Sequence, residues 1–389
     1  MKKLILSLLC CISLCYATAQ QSPRPLSDSA YASLITCGPG DEFYTTFGHT
    51  AIRICDTTRN IDVAYNYGMF TFNIDHFYWT FAKGDLNYFV SRTPFAFFLA
   101  EYKEEGRSMY MQKLNITPQE LNNLYVALEW NILPENRYYK YDFFRNNCAT
   151  MARDMIFNQL CHRSVITEQR SEQDPSYRDE VARCTGNNLM WWKFGIDLLL
   201  GARCDQHASN LEQMFSPLNL MEQIDTLYFS DTHEKFAEKP IQILAETRPA
   251  TPRSVSPILT FWVLCVIVVS LTVISWAKKW NLNWLDLPLF LIVGLLSLVI
   301  IFLWAYSTHY CTKINFNILW CSPIFLFLAC RIRHCDRIPV YLQTALLLLF
   351  LIGFWWLPQE FNGSFFPISL MLLIRLLSRL KQNPSKIIK

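Results

Sequence analysis

This 389-residue chain has little charge, few glycines and no short metal-binding motif in its amino-terminal half. Charged residues make up 17% of the sequence, and glycine occurs 12 times. No basic patch with interleaved exposed aromatics stands out, so the formal charge of +3 does not indicate a nucleic-acid partner. Residues 20–250 contain no close Cys-x-x-Cys or His-x-x-x-His pair, which argues against a metal site. We therefore expect neither a metal nor a cofactor.

The amino terminus has the form of a cleaved signal peptide. Two lysines precede an apolar run, residues 4–16, and the tripeptide Ala17-Thr18-Ala19 has the small-x-small form of a signal peptidase site. The run is shorter than the roughly 20 residues that span a bilayer, which argues against an uncleaved anchor. We predict that residues 1–19 are removed and that an exported domain occupies residues 20–250.

From about Pro257 onward the chain consists of long apolar runs separated by short polar gaps. Five runs predict five transmembrane helices, at 257–276, 287–306, 318–330, 340–356 and 365–377. The first two have the length of a bilayer span, whereas the third and fifth are short. The sequence therefore predicts an all-α membrane domain over residues 251–380, followed by a tail at 381–389.

Basic residues in the connecting loops indicate the orientation of these helices. Lys278 and Lys279 follow the first run, and Arg331, Arg333 and Arg337 follow the third. The loop after the second run has one lysine and the loop after the fourth has none. Because basic loops stay in the cytoplasm, this alternation predicts an inner-membrane protein with a periplasmic amino-terminal domain and a cytoplasmic tail.

The segment YDFFRNNCAT, residues 141–150, has a cysteine at the start of a predicted helix. Asn147 is a candidate N-cap, and Cys148 lies in the first helical turn. The helix dipole and the backbone N–H groups there favour a thiolate and lower the pKa of a thiol, and Arg145 would add to this effect. Since a thiolate is a nucleophile, Cys148 is a candidate for covalent catalysis.

Such a cysteine needs a general base, and His49 is the favoured histidine. It begins the predicted strand FGHTAIRI, where Gly48 would let another group approach the ring. His76 lies among aromatics, and His162 is too far along the helix to touch Cys148. The remaining histidines of this half, His207 and His233, lie in polar, loop-like stretches.

The order of a histidine strand, a second strand and a cysteine at a helix start resembles the circularly permuted NlpC/P60 group of papain-like folds. That group includes lecithin:retinol acyltransferase-like enzymes. More closely, FGHTAIRI, AYNYGMFTF, GRSMYMQKLNIT, YYKYDFFRNNCATMARD and FGIDLLLGARCD, followed by a multi-span membrane half, resemble the Lnb family of lipoprotein N-acyltransferases. The resemblance covers nearly the whole mature chain. It implies an α+β papain-like exported domain followed by about five transmembrane helices.

The resemblance also implies a reaction and its partners. A fatty acyl chain would pass from a membrane phospholipid, through a thioester on Cys148, to the amino-terminal cysteine amine of a diacylglyceryl lipoprotein. His49 would be the general base. Asn66, on the predicted second strand, is the candidate for orienting the imidazole, because papain-like sites need a polar third member.

A polar cluster in the membrane half is the other group of candidate site residues. His309, Asn315 and Asn317 lie in YSTHYCTKINFNILWCSP, at the predicted outer ends of the second and third runs. This segment resembles the membrane motif of the same family, and polar residues at such depths are often functional. We expect a supporting role in substrate positioning, as we do for Asn147 and Arg145 beside the cysteine.

Two other classes of protein stay open at this stage. One is an NlpC/P60-like cysteine hydrolase that cuts cell-wall peptide or a lipid ester, with water as the acceptor. The other is a non-enzymatic membrane assembly protein, in which Cys148 forms a disulfide with Cys161 or Cys184. Five membrane runs and the lack of a wall-binding module argue against a wall hydrolase.

Overall fold

The computed structural model describes residues 23–165, 175–186, 189–249, 254–334 and 336–381. The predicted signal peptide and the tail after Lys381 lie outside the described residues. Within them, an amino-terminal part built on one β-sheet precedes a carboxy-terminal part made of helices.

Seven antiparallel strands form one sheet in the order β6-β4-β3-β2-β1-β5-β7. They are β1 (Tyr31–Cys37), β2 (His49–Asp56), β3 (Ile61–Met69), β4 (Asn87–Pro94), β5 (Met109–Lys113), β6 (Tyr138–Lys140) and β7 (Ile241–Leu244). The predicted strand that begins at His49 is therefore present, as β2. The central strands are rich in β-branched and aromatic residues, which suit a sheet covered on both faces.

Helices of the amino-terminal part pack on the sheet and beyond its ends. They are α1 (Phe77–Lys83), α2 (Phe95–Glu104), α3 (Pro118–Asn131), α4 (Cys148–Phe157), α5 (Tyr177–Thr185), α6 (Met190–Leu199), α7 (Asn210–Gln213) and α8 (Pro217–Thr226). The start of α3 shows why the sequence folds this way. Thr117 caps it through the backbone N–H of Glu120, and Pro118 occupies the first helical position.

The two faces of the sheet carry separate apolar clusters. Leu34 and Ile52, which face each other across β1 and β2, pack with α3 and α4. The next pair along, Ile35 and Ala51, belongs to the opposite face and packs with Tyr102 and its neighbours on α2. This alternation follows from the two-residue period of a strand, and it places α2 and α4 on opposite faces.

Five further helices form the carboxy-terminal part: α9 (Pro257–Lys278), α10 (Asn283–Ala305), α11 (Ile324–Cys330), α12 (Arg337–Gly353) and α13 (Phe365–Lys381). By length and composition, α9 and α10 could each cross a membrane. The segment Tyr310–Leu319 with α11 makes a third candidate if this pair, bent by 51°, counts as one span. Two or three spans are thus supported among the described residues, and the count of five stays a prediction.

The helical part also buries charged groups in its interior. Arg375 of α13 is fully buried and donates hydrogen bonds to Asp286 of α10, with Nε 2.6 Å from Oδ1. Arg379, one turn further, reaches the second oxygen of the same carboxylate at 3.2 Å. Burying an unpaired charge in an apolar helix bundle costs free energy of folding. The pairing of these arginines with Asp286 therefore holds α13 against α10.

Two groups of contacts attach the amino-terminal part to the helices that follow it. At one, the Trp79 ring of α1 lies 4.6 Å from the Phe302 ring of α10, and the backbone N–H of Thr308 donates to the Lys83 carbonyl. At the other, the side chains of Asn315, Asn317 and Gln359 donate hydrogen bonds to backbone carbonyls at the carboxy-terminal end of α6. The amino-terminal part is therefore attached to the helical part through α1 and α6.

Candidate active site

The amino-terminal end of α4 is fixed by a cap that leaves Cys148 as the first helical residue. Asn147 Oδ1 accepts the backbone N–H groups of Ala149 and Thr150, each at 2.9 Å. Its Nδ2 donates to the carbonyls of Phe143 and Phe215, both at 2.8 Å. Every polar atom of the side chain is thus used, which indicates that Asn147 positions Cys148 by holding the helix start.

His49 and Asn66 are hydrogen-bonded to each other on neighbouring strands. Ala51 of β2 pairs with Asn66 of β3, and this register brings the Asn66 amide oxygen to Nε2 of His49. Because that oxygen can only accept, we assign the proton to Nε2, which leaves Nδ1 unprotonated. The hydrogen bond to Asn66 therefore selects the tautomer in which Nδ1 can accept a proton.

Gly68 is the point where these two residues meet Cys148. The pairing of β3 with β4 shifts register between Asn66 and Met69, and Gly68 has φ +86° at this irregularity. A β-carbon built on Gly68 would lie 3.3 Å from Cys148 Cβ and 3.7 Å from His49 Cε1. The missing side chain thus lets α4, on one sheet face, bring its cysteine close to a histidine on the other face.

Gly48 has a different role from the one expected. Its φ is +80°, and a β-carbon there would lie 2.6 Å from the carbonyl oxygen of Cys37. It therefore allows a tight approach of the chain to the end of β1. The glycine that opens space beside the His49 ring is Gly68.

Cys148, His49, Asn66 and Asn147 line one cavity of about 320 Å³. Aromatic side chains surround its mouth: the rings of Tyr44 and Phe70 are 5.7 Å apart, and those of Phe70 and Phe72 are 4.9 Å apart. More than half of the Tyr44 and Phe72 side chains remains exposed, at 56% each. The cavity therefore combines a polar floor with an apolar rim.

Burial changes the protonation of both central groups. It raises the pKa of the Cys148 thiol to about 11, although backbone N–H groups of Thr50, Ala149 and Cys148 itself lower it in part. Burial likewise lowers the pKa of His49 to about 4, against the opposing effect of the Asn66 hydrogen bond. The expected lowering of the Cys148 pKa is thus wrong, since desolvation outweighs the helix start. At neutral pH the pair is a thiol beside a neutral imidazole.

The other predicted supporting residues lie away from this cavity. The Arg145 guanidinium lies over the Tyr310 ring, 3.4 Å from its centroid, and His309 Nε2 lies 2.9 Å from the carbonyl oxygen of Phe81. Asn315 and Asn317 are buried, and both donate to the Leu198 carbonyl of α6, at 2.9 and 3.2 Å. These four side chains join the two parts of the chain, and a role in substrate positioning stays a prediction.

Sequence reasoning missed Arg107, which also lines the cavity. It lies just before β5 in the segment GRSMY, and only 3% of it is exposed. The only sequence signal is a charged residue directly followed by a buried strand, and many surface arginines share that pattern. The contact that brings it to the cavity is with Gly38, far away in the sequence.

The cysteines named in the disulfide alternative are free thiols. Cys148, Cys161 and Cys184 are all unpaired, with Cys161 exposed and the other two partly buried. The assembly-protein alternative required Cys148 to pair with one of the other two, so this requirement is not met.

The fold and the cavity define a class of protein: a domain with a cysteine, a histidine and an asparagine in one cavity, joined to apolar helices that can cross a membrane. Two family models match the chain, the Lnb N-terminal periplasmic domain over residues 25–167 and the Lnb transmembrane domain over residues 249–386. The chain belongs to the Lnb family. It is therefore a membrane protein with a periplasmic amino-terminal domain.

No curated protein and no solved structure matches the chain. The papain-like assignment of the amino-terminal part accordingly stays a prediction. The described part is an antiparallel sheet covered by helices on both faces.

Proposed function

We propose that this chain is a lipoprotein N-acyltransferase that moves a fatty acyl chain from a membrane phospholipid to the amino-terminal amine of a diacylglyceryl lipoprotein. One observation carries the proposal: Cys148, His49 and Asn66 line a single cavity in a chain whose family has a periplasmic and a transmembrane domain. Cysteine, histidine and asparagine together are a recurring set for acyl transfer through a thioester.

In the first half-reaction the acyl group moves to Cys148. Nδ1 of His49 accepts the thiol proton as Sγ attacks the ester carbonyl of the phospholipid. The new S–C bond forms, the ester C–O bond breaks, and the leaving alkoxide takes the proton from His49 to give a lysophospholipid. Because the resting thiol is protonated, this proton transfer accompanies the attack and does not precede it.

In the second half-reaction the amine of the lipoprotein attacks the thioester. The N–C bond forms and the S–C bond breaks, while His49 moves the amine proton to the departing sulfur. An amide and the free Cys148 thiol result, so the enzyme returns to its starting state. Asn66 acts as a positioning residue throughout, by holding Nε2–H of the imidazole.

Backbone N–H groups beside the sulfur supply the stabilisation that the tetrahedral intermediates need. Those of Thr50 and Cys148 are close enough to the Cys148 sulfur to lower its pKa. A carbonyl carbon bonded to that sulfur would place its oxygen near the same donors. Fixed donors in a dry site stabilise a developing oxyanion more than water does.

Access for a lipid is supported by the aromatic mouth and its continuity with the helical part. Phe70 at the mouth is 5.8 Å from Phe77 of α1, and Trp79 of the same helix packs on Phe302 of α10. Tyr78 between them is 80% exposed. Exposed aromatics beside a membrane helix suit the headgroup region of a bilayer, where they would place the mouth at the lipid surface.

The experiment that tests this function follows the acyl group. The full-length protein in vesicles is given phospholipid, and its intact mass is measured before and after a synthetic diacylglyceryl lipopeptide is added. We expect a mass increase of one fatty acyl chain on Cys148, which disappears as the lipopeptide becomes N-acylated. Cys148→Ala should abolish both signals, whereas Cys184→Ala, which replaces another partly buried free thiol, should retain them.

Two results would contradict the proposal in different ways. Release of free fatty acid with the lipopeptide unmodified would identify a hydrolase. N-acylation of the lipopeptide by Cys148→Ala at the normal rate would remove the thioester from the mechanism.

A further inference from the structure

Arg107 lines the catalytic cavity, and its buried guanidinium group is only partly paired. Its Nε donates to the Gly38 carbonyl at 2.9 Å, and its Nη1 pairs with Glu105 Oε2 at 2.9 Å. The guanidinium lies over the Tyr102 ring, 4.5 Å from the centroid. Nη2 is buried and finds no hydrogen-bond partner among the described residues. Two of the three guanidinium nitrogens are thus held, and the N–H groups of Nη2 are left without an acceptor.

Burying a charged donor without an acceptor costs free energy of folding. A bound ligand that supplies the acceptor would remove this cost. Arginine presents its N–H groups in a rigid fork that suits phosphate and carboxylate oxygens. The position is near the reaction centre, because the charge of Arg107 reaches both Cys148 and His49 and lowers the pKa of each. An anionic group bound here would therefore belong to a molecule that also reaches the thiol.

Two carboxylates at the same cavity restrict the charge of that molecule. Glu101 and Glu105 also line the cavity, and both are exposed at its edge. Glu105 already offsets the charge of Arg107, so a purely anionic ligand would add a negative charge beside Glu101. A headgroup that carries both a phosphate and an amine avoids this repulsion, since its amine can lie against the carboxylate.

We propose that Arg107 binds the phosphate of the phospholipid acyl donor, and that Glu101 binds the headgroup amine, so that the cavity selects a zwitterionic, amine-bearing phospholipid. This rests on the proposed function, and it names the class of acyl donor. The fixed contacts of Arg107 with Gly38 and Tyr102 hold the guanidinium in place before the lipid arrives. Preorganisation of this kind lowers the cost of binding.

The phosphate contact is tested with two donors in the full-length protein. Phosphatidylethanolamine carries the phosphate, and p-nitrophenyl palmitate is an acyl ester without one. The rate of acyl-adduct formation on Cys148 is measured by intact mass for each donor. For Arg107→Gln we expect the ratio of the phospholipid rate to the p-nitrophenyl ester rate to fall about tenfold or more, since a hydrogen bond to a charged group is lost.

Two outcomes of this experiment would overturn the inference, and only one of them also overturns the proposed function. If Arg107→Gln slows both donors equally, Arg107 has only a structural role, while acyl transfer by Cys148 stands. If the unmodified protein forms an adduct with neither donor, the proposed function fails, and the inference fails with it.

The amine contact is tested by comparing phosphatidylethanolamine with phosphatidylglycerol vesicles. We expect the unmodified protein to react faster with the amine-bearing lipid, and Glu101→Gln to reduce this preference several-fold. Glu104→Gln, on the same helix but outside the residues that line the cavity, is the matched control and should keep the preference. An unchanged preference in Glu101→Gln would contradict the assignment of the amine to this carboxylate.

Discussion

Cys148 and His49 are both uncharged at neutral pH because burial disfavours the charged form of each side chain. The cysteine has its pKa raised to about 11 and the histidine has its pKa lowered to about 4. A neutral pair of this kind differs from a preformed thiolate–imidazolium pair in its reactivity without substrate. It protects the thiol from unwanted alkylation and oxidation, because the thiolate is the reactive form.

This difference leads to a test with a small alkylating reagent. At pH 7 we expect iodoacetamide to modify the exposed Cys161 faster than Cys148, in the intact protein, as measured by peptide mass spectrometry. The reason is that burial raises the pKa of Cys148 to about 11, so very little of it is thiolate at pH 7, whereas Cys161 is exposed to the reagent. Faster modification of Cys148 than of Cys161 would show that the site holds a preformed thiolate.

The same protonation states predict the pH dependence of acyl transfer. A base with a lowered pKa stays unprotonated, and so active, at every pH above that value, and it loses activity only below it. We expect the rate of acylation of Cys148 to hold from neutral pH down to pH 5 and to fall around the His49 pKa of about 4. A fall centred near pH 6.5, the ordinary value for histidine, would contradict the desolvation of His49.

At the scale of elements, the site depends on an irregularity in one strand. Helix α4 lies on one face of the sheet, and His49 shares the opposite face with Ala51 and α2. Cys148 and His49 both come close to β3 at Gly68, where its pairing with β4 departs from regular register. A regular strand with a side chain at this position would separate the cysteine from the histidine.

Gly68→Ala tests this geometry. We expect loss of acyl transfer, together with a decrease in the free energy of unfolding of about 1–2 kcal/mol from strain at positive φ. Gly186→Ala is the matched control, because Gly186 also has a positive φ of +51°, but none of the described residues has an atom within 4 Å of its built β-carbon. The control should be destabilised without losing activity. Normal activity in Gly68→Ala would mean that the close approach at this glycine is not required.

At the scale of the whole molecule, buried polar contacts fix the amino-terminal part against the helices. Asn317 Nδ2 donates to the Asp197 and Leu198 carbonyls, both at 3.2 Å, and its Oδ1 accepts the indole N–H of Trp320 at 2.9 Å. Arg178 and Asp197, both nearly fully buried, add an ion pair at 3.1 Å on the same side. The cavity is thus held in a fixed position relative to the apolar helices.

Asn317→Ala distinguishes an attachment role from a role in substrate positioning. The change leaves the Trp320 N–H and two carbonyls without this partner, so we expect the free energy of unfolding to decrease by about 1–3 kcal/mol. Below the melting temperature, the rate of Cys148 acylation should stay close to normal. Normal thermal stability with lost acylation would instead favour the substrate-positioning role predicted from the sequence.

The number of spans is tested by the position of the carboxy terminus. If the five apolar helices each cross the membrane, a reporter fused after Lys389 lies in the cytoplasm, opposite the periplasmic domain. A periplasmic reporter would mean an even number of crossings, with one of the short helices not spanning. The bent segment Tyr310–Leu319 with α11 is the first candidate for such a helix.

Local sequence determined much of this protein by itself. The cap at Asn147, the helix that follows it and the strand that begins at His49 depend on residues only a few positions apart, and they were predicted. Long apolar runs likewise indicated the membrane part, because the hydropathy of a segment depends only on the residues within it. Motifs of this kind also carried the resemblance to the Lnb family, which the family models confirm.

Only the tertiary structure decided how these local pieces meet. The register of β2 with β3 aligns Asn66 with His49, Gly68 lets Cys148 approach, and the Gly38 carbonyl holds Arg107 in the cavity. The pKa of Cys148 also changed direction from the expected one, because burial depends on elements that are distant in the sequence. Desolvation and long-range contacts are properties of the folded chain, and no local pattern contains them.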